Sequence, residues 1–239
     1  SMDHPHNGEF VDWSIVINTE LNSIPNAKLE DTYPTQMELV NDSIVIHKLN
    51  VNVDGTYSEG DVIDPSEYTL TQVGNHFEII FHENPLTHAY KVDYQTEIIN
   101  DGDLIGDQEF SNNAKLTGDD LEKTATSEVK TSYGLPIEKK VTYDPETQSF
   151  YWDIRYNFNE GDIAQSNAWV EDTFPNSFQI DGMIEVFEVE IDSNGTETIS
   201  STPVDSSEYT LTQTDDGTST TFKVEFNTDI EKAYVIRYK

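Results

Sequence analysis

Apolar residues alternate with polar ones along most of this chain, the spacing that puts every second side chain on one face of a β-strand. Trp13, Ile15 and Ile17 share such a face, as do Trp152, Ile154 and Tyr156. The pattern predicts further strands over Ser43 to Val53, Tyr68 to Gln72, His76 to Phe81 and Tyr90 to Thr96. Met183 to Ile191, Tyr209 to Gln213, Thr221 to Phe226 and Ala233 to Tyr238 read the same way. Asp54-Gly55, Asn194-Gly195 and Asp216-Gly217 favour hairpins, because these residues tolerate the backbone angles a tight turn requires. Pro34 and Pro175 stand where strands should end. The one candidate helix, Asp119 to Val129, contains Thr124, Thr126 and Ser127 and has no apolar stripe.

The chain also repeats itself. Ser66-Glu67-Tyr68-Thr69-Leu70-Thr71-Gln72 recurs letter for letter as Ser207 to Gln213, an offset of 141. Trp13-x4-Asn18 matches Trp152-x4-Asn157, and Glu30-Asp31-Thr32-Tyr33-Pro34 matches Glu171-Asp172-Thr173-Phe174-Pro175. Ala89-Tyr90-x3-Tyr94 matches Ala233-Tyr234-x3-Tyr238. Four blocks in the same order, with nearly constant offsets, mean two copies of one domain. About seven short strands per ~120 residues, with turns between them, imply an all-β chain of two tandem immunoglobulin-like Greek-key β-sandwiches. The boundary is expected near Thr131 to Tyr133, giving domains 1–131 and 132–239. The Ser-Glu-Tyr-Thr-Leu-Thr-Gln block reads as a strand with Tyr and Leu inward, and Trp13 and Trp152 read as core residues.

Composition narrows the function classes. A net charge of −33 repels phosphate backbones and anionic lipid, which argues against nucleic-acid and membrane-surface partners. There are no cysteines, so disulfide scaffolds, thiol catalysis and Cys-ligated zinc are excluded. No apolar run is long enough for a membrane helix, and the opening Ser1-Met2 reads as a cloning remnant on an excised fragment. His76, His82 and His88 have no counterparts in the second copy, and the acidic turns Asp101 to Asp107 and Asp192 to Glu197 lack EF-hand spacing. No metal or cofactor is implied, and no phosphate loop or hydrolase motif occurs.

Taken in order, Ile-x-Lys, Trp-x4-Asn, Asp-Thr-aromatic-Pro, Ala-Tyr-x3-Tyr and Asn-x-Ala resemble the collagen-binding-domain repeats of Gram-positive cell-wall-anchored adhesins. The resemblance covers nearly the whole chain, twice. It implies immunoglobulin-like sandwiches, several of which carry an intramolecular isopeptide bond between a Lys and an Asn, promoted by an acidic residue. Alternation nominates the residues: Lys139 shares a face with Ile137, Val141 and Tyr143, and Asn112 with Phe110, Ala114 and Leu116. Asp31 and Asp172 take the promoter position in the two copies. The lysine would react as a neutral amine in an apolar core, with the carboxylic acid polarising the amide.

By position, Lys139 precedes Trp152 by 13 residues, and the same count back from Trp13 falls before Ser1. Asn112 follows Tyr94 by 18 residues, and the same count beyond Tyr238 passes Lys239. Neither copy is therefore expected to hold a full triad, unless Lys139 reaches Asn112 across the copies. The plainer alternatives are an edge lysine, aspartates that cap turns before proline, and a surface asparagine.

The resemblance implies a non-enzymatic adhesin module on the bacterial cell wall surface, extracellular, with its anchor outside this sequence. Its partners would be a host extracellular matrix protein such as collagen and neighbouring repeats of the same chain. Ligand-binding members hold collagen between adjacent domains and a linker, here Thr117 to Pro136, which is polar and lacks an aromatic cluster. A purely structural stalk and a carbohydrate-binding module are the alternatives.

Overall fold

A computed structural model describes residues 5–239. Among them the chain is all-β apart from two single 3-10 turns, Pro65–Glu67 and Gln165–Asn167. It divides into two compact units. The first contains Glu9–Ile99 and Glu109–Lys130; the second contains residues 5–8, Asn100–Gln108 and Thr131–Lys239. Each is an immunoglobulin-like β-sandwich.

The first sandwich is built from β1 (Phe10–Ile17), β2 (Lys28–Thr32), β3 (Met37–Leu39), β4 (Val45–Val51), β5 (Tyr57–Val62), β6 (Tyr68–Val73), β7 (His76–Phe81), β8 (Ala89–Ile98), β9 (Gly106–Gly118) and β10 (Leu121–Tyr133). One sheet runs β1-β8-β4-β5 with β3 also on β8, and the facing sheet runs β10-β9-β2-β7-β6. Alternation along β7 and β8 buries Phe77, Ile79, Val92 and Tyr94 between them, with Trp13 from β1. The Trp13 indole donates to Thr96 Oγ1 at 2.9 Å, which satisfies its polar atom inside the core.

The second sandwich uses β11 (Ile137–Asp144), β12 (Ser149–Tyr156), β13 (Trp169–Pro175), β14 (Glu185–Ile191), β15 (Glu197–Ile199), β16 (Tyr209–Asp215), β17 (Ser219–Phe226) and β18 (Ala233–Tyr238). Its sheets run β11-β12-β18-β14-β15 and β13-β17-β16. Matched through the repeated blocks, β12-β18-β14-β15 corresponds to β1-β8-β4-β5, and β13-β17-β16 to β2-β7-β6. Two differences remain. The second sandwich carries β11 outside β12, where β1 has no neighbour among the described residues. The first carries β9 and β10 outside β2, where β13 has no neighbour among the described residues.

The repeated Trp-x4-Asn block has a structural cause. Asn18 and Asn157 both adopt left-handed backbone, φ 56° and 57°. Asn18 Nδ2 donates to the carbonyls of Asn22 and His88, and its Oδ1 accepts from Asn22 N–H. Asn157 does the same with Gly161 and Lys232. In each copy one asparagine therefore closes the loop after its strand and ties it to the residue before the Ala-Tyr-x3-Tyr strand.

Three expectations change. Asp119 to Val129 lies mostly in β10, an outer strand exposed on both faces, which is why no alternation marks it. Much of Thr117 to Pro136 is therefore paired strand rather than a free linker. Leu70 and Leu211 lie opposite Ile79 and Val224, on the inward face as expected, but each stays 42% exposed because β6 and β16 are sheet edges.

Candidate functional site

Asp31 sits at the centre of β2, paired through its backbone with Phe77 of β7 and Ala114 of β9. Its side chain points between the sheets and is fully buried. The strand beyond supplies Asn112, two residues from Ala114 and on the same face, 5% exposed. From the opposite sheet comes Tyr94, held edge-on to Phe77 with ring centroids 5.0 Å apart. The Tyr94 hydroxyl donates to Asp31 Oδ1 at 2.7 Å and accepts from Asn112 Nδ2 at 2.5 Å. One phenol thus fixes both the carboxylate and the carboxamide.

Two acceptors are left over. Asp31 Oδ2 and Asn112 Oδ1 are both buried and have no hydrogen-bond partner. Buried acceptors in folded proteins are almost always paired with protein or ordered water, so these two oxygens mark the most polar point of the first core. Burial pushes the Asp31 carboxyl up to about 6, against the opposing hydrogen bonds of Tyr94 and Asn112. Burial and the neighbouring Asp31 push the Tyr94 phenol well above its ordinary range, so it remains a donor.

The equivalent position of the second repeat is filled differently. Asp172 lies on β13 opposite the buried Phe222, and Lys139 on β11 opposite Ile154. Lys139 Nζ lies 2.7 Å from Asp172 Oδ1 and 2.6 Å from Oδ2, and 4.5 Å from the centre of the Trp152 ring. Tyr238, the counterpart of Tyr94, donates its hydroxyl to Asp172 Oδ2. Lys139 thus faces inward, as alternation predicts. Contrary to expectation it is not sunk in an apolar core: its side chain is 35% exposed, and Asp172 is 12% exposed. The reason is that, among the described residues, β13 pairs with β17 alone and its other edge is uncovered. Beside it lies a cleft of about 400 Å³, walled by Lys139, Phe150, Trp152, Phe174, Phe178 and Tyr238.

Of the four residues nominated from sequence, Asp31 meets Asn112 in the first unit and Lys139 meets Asp172 in the second. Alternation alone does not nominate Tyr94 and Tyr238. Their signal is present, as the second tyrosine of Ala-Tyr-x3-Tyr in both copies, but a tyrosine on an alternating strand reads as core.

Both repeats match the family described as collagen binding domain, over residues 1–127 and 136–239. No curated protein matches the sequence. Similar solved structures include the collagen binding subdomain of the Enterococcus faecalis surface protein ACE, at 13% identity over 52% of this chain and 88% of that one, TM-score 0.38. The collagen-binding domain of a Staphylococcus aureus adhesin is 18% identical over 51% and 87%, TM-score 0.38. The C-terminal domain of the Streptococcus agalactiae AgI/II polypeptide BspA is 10% identical over 100% and 87%, TM-score 0.44. With both repeats matched over nearly their full length, the chain belongs to the collagen-binding domain family.

Proposed function

We propose that this chain is a non-enzymatic tandem module of a bacterial surface adhesin that binds a host matrix protein such as collagen. The observation that carries the reading is the family match across both repeats. Its setting would be extracellular, on the cell wall. Binding of the chain to immobilised triple-helical collagen, measured by surface plasmon resonance up to tens of micromolar, should give a saturable response. Flat traces on collagen and on fibrinogen would leave the spacer reading, in which the module holds a binding tip away from the wall.

Isopeptide-type stabilisation is the second part of the proposal. Each repeat offers an aspartate beside a tyrosine, with the amine (Lys139) in one case and the carboxamide (Asn112) in the other. The chemistry needs a neutral amine to attack the Asn Cγ, and an acid to protonate the departing nitrogen. A carboxyl held at about 6, as Asp31 is, can be either proton donor or acceptor near neutrality.

A further inference from the structure

We propose that β6 and β16 are homotypic docking edges, by which one copy of this chain adds strand to strand onto a second copy.

The first observation is where the two repeats are alike. Ser66 to Gln72 and Ser207 to Gln213 are identical, and beyond Tyr68 and Tyr209 every residue of both edge strands is exposed. The strands they pair with carry the core, and there the copies differ. Glu78, Ile79 and Ile80 of β7 stand where β17 has Lys223, Val224 and Glu225. Packing tolerates change behind the edge while the edge itself is the same twice, which core constraint does not explain.

The second is the absence of protection. Sheet edges are ordinarily blunted by charge, shortness, proline or a bulge. β5 has Glu59, Asp61 and a register shift between His47 and Leu49 of its partner. β10 carries Glu122, Lys123, Glu128 and Lys130, and β15 is three residues long. Tyr68–Val73 and residues 209–214 hold no charge, no proline and no break in register, in a chain of net charge −33. Among the described residues neither edge has a second partner.

The third is self-complementarity, and it fixes the occupant. His82 N–H donates to the Glu67 carbonyl and Asn227 N–H to the Glu208 carbonyl, both at 2.9 Å. Bonding alternates along an antiparallel ladder, so Thr69 and Thr71 turn their backbone groups toward β7 while Tyr68, Leu70 and Gln72 turn theirs outward. Tyr209, Leu211 and Gln213 do the same in β16. An antiparallel copy of the strand, centred on its leucine, sets Leu against Leu and Tyr against Gln, all with outward backbone groups. Thr69 then lies beside Thr71 of the second copy, a favourable cross-strand pair. The leucines, each 42% exposed, close over one another on the inward side.

Each contact is small and therefore weak, but every chain has two such edges, and dense display multiplies them. The charge of −33 opposes approach at long range, whereas the docking strands themselves are uncharged. Association therefore strengthens with salt, the reverse of an interface made by ion pairs.

Sedimentation equilibrium of the full chain tests this. From about 0.01 M to about 0.15 M salt the Debye length falls from about 30 Å to about 8 Å, and the average mass should rise above that of one chain. Leu70→Lys with Leu211→Lys sets ammonium against ammonium and should weaken association about tenfold or more, although it makes the chain less negative. Unchanged association of this variant overturns the proposal.

The register has its own test, because the chain has no cysteine. Opposed residues of a hydrogen-bonded antiparallel pair lie about 5.5 Å apart at Cα, within reach of a disulfide. Leu70→Cys with Leu211→Cys should therefore give a ladder of linked chains on copper–phenanthroline oxidation. Ser58→Cys with Thr198→Cys, on the protected edges β5 and β15, should not. Equal linking by both variants overturns the proposal. So does a chain that stays monomeric at every salt and protein concentration, which leaves these edges to a strand of another protein.

Discussion

Asp31 and Asp172 occupy the same position on equivalent strands, yet Asp31 is sealed from solvent with one oxygen unpartnered while Asp172 grips Lys139 through both of its oxygens. The difference traces to which strand flanks each sheet. β9 covers Asp31 and brings a carboxamide; β11 brings an amine to Asp172 and leaves the far side open. The same aspartate position therefore faces a carboxamide in one copy and an amine in the other.

Burial of Asp31 makes the first repeat sensitive to pH. Its carboxyl rises from 3.8 to about 6 on folding, so between those values the folded form holds a proton that the unfolded chain has released. Stability from this group accordingly falls as pH rises through that window, by about 3 kcal/mol when complete. Urea unfolding of wild type and Asp31→Asn at pH 4.5 and pH 7.5 should show the variant losing less between the two conditions. Parallel losses would mean Asp31 ionises as freely folded as unfolded.

Removing the Tyr94 hydroxyl should be costly. Tyr94→Phe leaves Asp31 Oδ1 and Asn112 Nδ2 buried without their partner, a loss of about 1–3 kcal/mol. Tyr238→Phe should cost less, because Asp172 keeps Lys139 and some contact with water. Denaturation of the two variants reads the order directly, and equal losses would contradict the role given to Tyr94.

Lys139→Ala should change the stability of the second repeat by no more than about 1 kcal/mol, because the pair with Asp172 is partly exposed and water screens it. A loss of several kcal/mol would show that the amine is a structural keystone of the folded repeat.

Asn157→Ala should destabilise more than Asn18→Ala, by roughly 1–2 kcal/mol, although both remove the same loop closure. Asn157 is fully buried, whereas the bonds of Asn18 are at the surface. Thermal unfolding of the two variants compares them.

Much of this architecture is legible in the amino-acid sequence. Strict alternation marks the paired strands, and the Asn-Gly and Asp-Gly dipeptides mark hairpins where Gly55, Gly195 and Gly217 indeed take positive φ. Alternation also orients Lys139 and Asn112 inward. What it does not show is how much covers a face. Leu70 and Lys139 point the right way but lie at edges, and burial at an edge depends on strands far away in sequence. β10 escapes recognition as a strand because exposure on both faces removes the alternation that would reveal it. Tyr94 escapes recognition because its task is to join residues 63 positions before it and 18 positions after it.

Adding an outer strand beside β13 tests the account most directly. Appending the Thr96–Gly118 sequence after Lys239 sets an asparagine 18 positions beyond Tyr238, the separation of Tyr94 from Asn112. That strand should pair with the open edge of β13 and bring its carboxamide to Lys139 and Asp172. The expected intact mass is about 17 Da below the sum of the residues, with the cross-link mapped to Lys139 and abolished by Lys139→Ala. A folded product of unreduced mass would contradict the isopeptide-type stabilisation proposed for these repeats.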